Sequence, residues 1–184
     1  GNNCTGGETG NLIVDTALKL AWPQNEIARA KAYDLTDAYK LAMEQNGLID
    51  RVHPQGGSCD VFVSSVFTFS GVDPDFANHC CQVSGKGPMY KYVTETPSLF
   101  MRLPYDDNYL RDIKNYNDPN IQNGDILLKT SGNGNGESSG HIAIFYRDSS
   151  NVPHMIHASA PGRTPGRTGA VTGAYGAPFE IWRY

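Results

Sequence analysis

No apolar run in this chain approaches the ~18 residues that a helix needs to cross a bilayer, which excludes a spanning helix. Positive charge is scarce too. Fifteen lysines and arginines stand against 19 acidic residues, and a net charge of −4 with a pI near 5.7 excludes the basic face of a nucleic-acid binder. Metal-ligand spacings such as Cys-x2-Cys or His-x3-His are missing, and the clustered cysteines Cys80 and Cys81 are adjacent. No metal or other cofactor is therefore expected. The chain opens at Gly1 without a methionine or a signal-peptide pattern, so it reads as a mature or trimmed polypeptide whose targeting is not written in it. What remains is an ordinary globular composition, 184 residues with 39% hydrophobic and 18% charged, enough for one domain with a real core.

Helical spacing dominates the first third. Leu12, Ile13, Ala17, Leu20 and Ala21 predict a helix ended by Pro23. Ala28, Ala32, Leu35, Ala38, Tyr39 and Ala42 predict a second from Asn25 to Gln45, stopped by Asn46-Gly47. From Ser58, a plausible N-cap, to Gly71 the apolar residues follow no period-2 face, which predicts a buried helix despite strand-forming composition. Residues 72–120 are irregular, with short helices expected near 75–82 and 106–114. Strands are predicted at 125–129, 141–147, 152–158 and 179–184, separated by a Gly/Asn/Ser loop at 131–140 and a Pro/Gly-rich loop at 161–178. Helices first and an antiparallel meander afterwards make an α+β fold.

Chemistry concentrates in three places. Cys59 opens the buried helix, and His141 and His157 lie on consecutive strands. A thiol at a helix start, followed in sequence by a base and an orienting residue, is the layout of a cysteine hydrolase, because the helix N-terminus and a nearby imidazolium favour the thiolate. A three-residue turn, Asp148-Ser149-Ser150, would pair Arg147 with Asn151 and set His141 directly opposite His157 on one sheet face, whereas a four-residue turn would move His157 to the other face, and Pro153 implies an edge position or a bulge. His141 then acts as general base or imidazolium partner and His157 orients it. His53, His79 and His154 lack such context and are expected to be structural or exposed.

The segments Gln55-Gly56-Gly57-Ser58-Cys59-Asp60-Val61-Phe62-Val63, Asn123-Gly124-Asp125-Ile126-Leu127, Gly140-His141-Ile142-Ala143-Ile144-Phe145 and Met155-Ile156-His157-Ala158 resemble, in order and character, the NlpC/P60 cysteine peptidases and the related CHAP domains. The resemblance implies a papain-like fold that cuts peptide or amide bonds of the bacterial peptidoglycan stem peptide, with Cys59 as nucleophile, His141 as base and His157 as third residue. It further implies one catalytic domain over residues 1–184, acting as a secreted or envelope monomer. Helical residues at about 25–47 and irregular residues at about 72–120 are then insertions. The chain departs from the family in reading Ser58-Cys59-Asp60 where Asp-Cys-Ser is usual, and it lacks the tyrosine before the glycine turn.

Ser58 and Asp60, flanking the thiol, and Arg163 and Arg167, in the repeated Pro-Gly-Arg-Thr loop, are the candidate substrate contacts. With Cys59 needed as a free thiol, a disulfide must use two of Cys4, Cys80 and Cys81. Adjacent trans residues lie closer than bridged Cα atoms prefer, so Cys4 joined to Cys80 or Cys81 is the expected pairing, with three free thiols the alternative. Rival readings are a zinc site of Cys59, His141 and His157, a non-catalytic wall-binding module, and an acyltransferase with the same Cys-His chemistry.

Overall fold

A computed structural model describes residues 9–29, 34–52, 59–130, 140–158, 169–176 and 178–184. Among them are four α-helices, α1 (Leu12–Leu20), α2 (Asp37–Gln45), α3 (Cys59–Phe69) and α4 (Pro88–Thr94), and six strands. The strands are β1 (Met101–Arg102), β2 (Ile126–Lys129), β3 (His141–Arg147), β4 (Pro153–His157), β5 (Ala170–Gly173) and β6 (Glu180–Arg183). They form one antiparallel sheet in the order β1-β6-β2-β3-β4-β5. The fold is α+β, and no described helix is long and apolar enough to cross a membrane.

Helix starts follow local chemistry. Asn11 caps α1 by accepting from the Val14 N–H at 3.0 Å, and its amide donates to the Asn123 carbonyl at 2.9 Å, pinning α1 to the approach of β2. Thr36 caps α2 by accepting from the Tyr39 N–H at 3.1 Å. The long helix expected from Asn25 to Gln45 is therefore broken: Gln24–Arg29 form a 3₁₀ turn and α2 starts at Asp37. Spacing alone ran through the cap because Ala38, Tyr39 and Ala42 continue the period of the residues before it. α3 runs as expected and buries every residue from Val61 to Phe67, the mark of a helix enclosed on all sides. Gly71, at φ +76°, supplies the left-handed residue that follows it.

Alternation along the strands builds two apolar layers. Ile126, Leu128, Ile142, Ile144, Ile156 and Val171 face α1 and α3, together with Tyr39, Phe62, Val66 and Phe67. Leu127, Ala143, Phe145, Met155 and Ile181 face the other side, which is covered by Leu110, Tyr116 and Ile121. Those covering residues come from the irregular segment, through the 3₁₀ turns Tyr109–Arg111 and Ile113–Asn117. The Arg147 guanidinium clamps that segment by donating to the carbonyls of Tyr116, Asp118 and Ile121. The short helices expected near 75–82 and 106–114 appear as 3₁₀ turns, and α4 and β1 are additional.

β5 falls inside the residues read as a Pro/Gly-rich loop. It is held by a bridge to α1's end, the Trp22 N–H donating to the Gly169 carbonyl and the Val171 N–H to the Trp22 carbonyl. Gly169 sits against α3 at φ +67°, where an added Cβ would come within 2.6 Å of the Phe62 ring.

Candidate functional site

Cys59 is the first residue of α3, so its N–H and those of the next three residues lack acceptors within the helix. Asp60 occupies one of them. Its Oδ1 accepts from the Val61 N–H at 2.8 Å and its Oδ2 from the Gln82 N–H at 2.9 Å. Both carboxylate oxygens are thus used inside the fold, and Asp60, expected to face substrate, ties the helix start to the chain after Cys81. Ser58, Arg163, Arg167 and Cys4 lie outside the described residues.

Cys59 is half-buried and is the free cysteine among the described residues. Burial, and then the negative charge of Asp60, push its thiol up to about 12, while the backbone at Ile142 and at the helix start pulls weakly the other way. The sequence reading expected a lowered value from the helix N-terminus and an imidazolium. Desolvation and a neighbouring carboxylate outweigh that effect, and the resting thiol is protonated at neutral pH.

The disulfide expectation is also corrected. Cys80 and Cys81 are bridged to each other, with Cα atoms 3.0 Å apart. The spacing argument against adjacent partners assumed a trans peptide, and this one is cis.

The two histidines come together as expected, though by a different register. Pairs Ile144↔Ile156 and Arg147↔Pro153 leave a five-residue turn, Asp148–Val152, in place of the three-residue turn expected. Asp148 Oδ1 accepts from the Ser150 and Val152 N–H groups, both at 2.9 Å, and Asn151 takes φ +64°, which asparagine tolerates. A shift of two residues preserves the face, so His141 and His157 are diagonal neighbours, a separation that aromatic side chains span. His141 Nε2 and His157 Nδ1 are 2.6 Å apart, with the ring planes 76° to each other. His157 Nε2 in turn lies 2.7 Å from Thr172 Oγ1 on β5. Sequence reading missed Thr172 because the surrounding glycines hid the Val171-Thr172 pair, its only strand signal.

Burial, then the charges of His157 and Lys129, hold His141 well below the ordinary 6.5. Burial alone takes His157 down to about 4. Both rings are therefore neutral near pH 7. Around them, Phe179 lies 6.3 Å from the His141 ring, Tyr175 lies 6.4 Å from that of His157, and the buried Lys129 ammonium sits 5.7 Å from the Phe179 ring.

Cys59 approaches β3 at Ile142, next to His141 in the chain. No hydrogen bond joins the thiol to His141 among the described residues; the imidazole's bond goes to His157. Catalytic bonds of this kind are commonly long without substrate and tighten when it binds. A zinc set of Cys59, His141 and His157 is not assembled, because facing nitrogens of the two rings are spent on each other. The described ligand groups that do cluster within 4.8 Å are Asp60, Cys80 and Cys81, and the two sulfurs there are bonded together.

Compared with known protein families, with curated proteins and with solved structures, the chain matches none.

Proposed function

We propose that this chain is a cysteine hydrolase of the NlpC/P60 kind, with a papain-like arrangement, that cuts a peptide or amide bond in the peptidoglycan stem peptide. Its place of action is then the cell envelope or its exterior. The observation that carries the reading is the His141–His157 hydrogen bond at the ends of two adjacent strands, with the free thiol of Cys59 brought to the same stretch of β3 by a helix N-terminus.

The electrostatics favour a neutral pair over a thiolate–imidazolium pair. Cys59 is held protonated and His141 unprotonated, so proton and electrons move together during attack. As sulfur bonds to the carbonyl carbon, the thiol proton passes to His141 Nδ1 and the carbonyl π electrons move to oxygen. Backbone N–H groups at the start of α3, those of Cys59 and Asp60, which meet the thiol in the resting protein, are the donors this reading assigns to that oxyanion. Collapse expels the amine, which takes the proton back from His141. Water then hydrolyses the thioester by the same route, with His141 as base. A bound amine in place of water would make the same machinery an acyltransferase.

Digestion of purified peptidoglycan with mass analysis of the fragments tests this. The expected products carry new amino and carboxyl termini within the stem peptide. Cys59→Ala should remove them, by more than about 10³-fold in rate, while the fold survives. Near-normal turnover in that variant overturns the cysteine mechanism, and intact peptidoglycan with the native protein overturns the substrate.

A further inference from the structure

We propose that Thr172 is a positioning residue: accepting a hydrogen bond from His157 Nε2–H, its hydroxyl selects the ring tautomers that leave His141 Nδ1 as the free base. The role assigned to His141 rests on the function proposed above; the tautomer selection does not.

The relay crosses three strands in two equal steps. His157 pairs directly with Ala170 on β5, and continuing the β3–β4 register puts Ala143 directly opposite it on the other side. Both direct neighbours are buried alanines. With no bulk on either side, the ring leans along the diagonals, two residues back to His141 on β3 and two residues on to Thr172 on β5. The resulting contacts are 2.6 Å and 2.7 Å.

Two proton arrangements satisfy both contacts when the rings are neutral, since each ring then carries one N–H. In the first, His141 Nε2–H donates to His157 Nδ1, and His157 Nε2–H donates to Thr172 Oγ1. His141 Nδ1 then holds a lone pair and can take the thiol proton. In the second, the threonine hydroxyl donates to His157 Nε2, His157 Nδ1–H donates to His141 Nε2, and the proton ends on His141 Nδ1. That state cannot act as a base there. Thr172 is half-buried, so its hydroxyl proton can turn to solvent while the oxygen accepts, which is the first arrangement. A carboxylate at this position would force the same tautomers but would bury a charge. A hydroxyl that turns its own proton to solvent favours them without one.

Histidine tautomers are read directly by NMR of ¹⁵N-labelled protein at neutral pH, with or without turnover. The unaltered protein should show the Nε2–H form at both His141 and His157. Thr172→Val should shift His157, and with it His141, toward the Nδ1–H form. In the same variant kcat should fall about 10- to 100-fold with KM nearly unchanged, whereas Thr172→Ser should stay within a few-fold of the unaltered protein. An Nδ1–H form of His141 in the unaltered protein overturns the proposal even if Thr172→Val fails to fold. So does a Thr172→Val protein that loses activity with its tautomers unchanged. Should no hydrolysis be found for any form, the tautomer readout still decides the role of Thr172.

Discussion

His154 and His157 stand three residues apart on β4 and face opposite sides of the sheet, yet their surroundings differ in kind. His154 Nε2 is 2.8 Å from Asp148 Oδ2, its ring stacks on Tyr146, and Asp148 is held below the ordinary carboxylate range chiefly by that hydrogen bond. Among the described residues His157 hydrogen-bonds to neutral groups, the imidazole of His141 and the hydroxyl of Thr172. A carboxylate fixes the first ring and helps hold the turn; a neutral chain leaves the second with a proton that can be passed along. On the function proposed above, one strand carries a structural histidine and a chemical one, and the partner, not the residue type, separates them.

The largest break in that contrast comes from removing each ring in turn. His157→Ala should lower turnover roughly 10²- to 10⁴-fold, while His157→Asn, which can still hydrogen-bond, keeps a measurable fraction; steady-state rates on peptidoglycan give the ratio. His154→Ala should do the reverse, leaving the rate per folded molecule unchanged and costing about 1–3 kcal/mol in denaturant unfolding.

Acid sharpens the same contrast. Since burial lowers His157 to about 4 and His141 well below 6.5, both are neutral in the folded protein where the unfolded chain already binds protons. Their contribution to stability is complete above about pH 6.5 and is lost as pH falls from there toward 4. Activity should be flat through neutrality and decline only on the acid side of 6.5, where His141 charges. A rate that falls on both sides of neutrality would point to a thiolate–imidazolium pair instead.

The smallest effect should come from Asp60→Asn. Removing the charge that helps raise Cys59 should bring the thiol down from about 12 and speed its alkylation at pH 9 by up to about tenfold, with a stability loss near 1 kcal/mol from one forfeited N–H acceptor.

Much of this was readable in the chain. The failure of period-2 alternation and the glycine at position 71 predicted α3 as a helix where strand propensity said otherwise, and the glycine-flanked His141 and His157 segments predicted adjacent strands on one face. The exact pairing was not readable, because Asn151 in the left-handed region and Asp148 accepting two backbone N–H groups lengthen the turn in a way that composition does not announce. The break before α2 was hidden by apolar spacing that continues past Thr36. β5 was hidden by its glycines, and Thr172 with it: a strand of four residues that docks on a helix through Gly169 has too little pattern of its own.

The sheet order has a consequence for how the molecule is made. β6 (Glu180–Arg183) lies between β1 and β2, so that margin of the sheet cannot close until the last strand is made, whereas β2, β3, β4 and β5 are neighbours in chain order. Contacts of such long sequence separation form late and slowly. The relay of His141, His157 and Thr172 lies outside that margin, on three strands that pair in the order in which they are made. On the function proposed above, a chain shortened ahead of Ala170 would carry the Cys59 thiol without the threonine that sets its base.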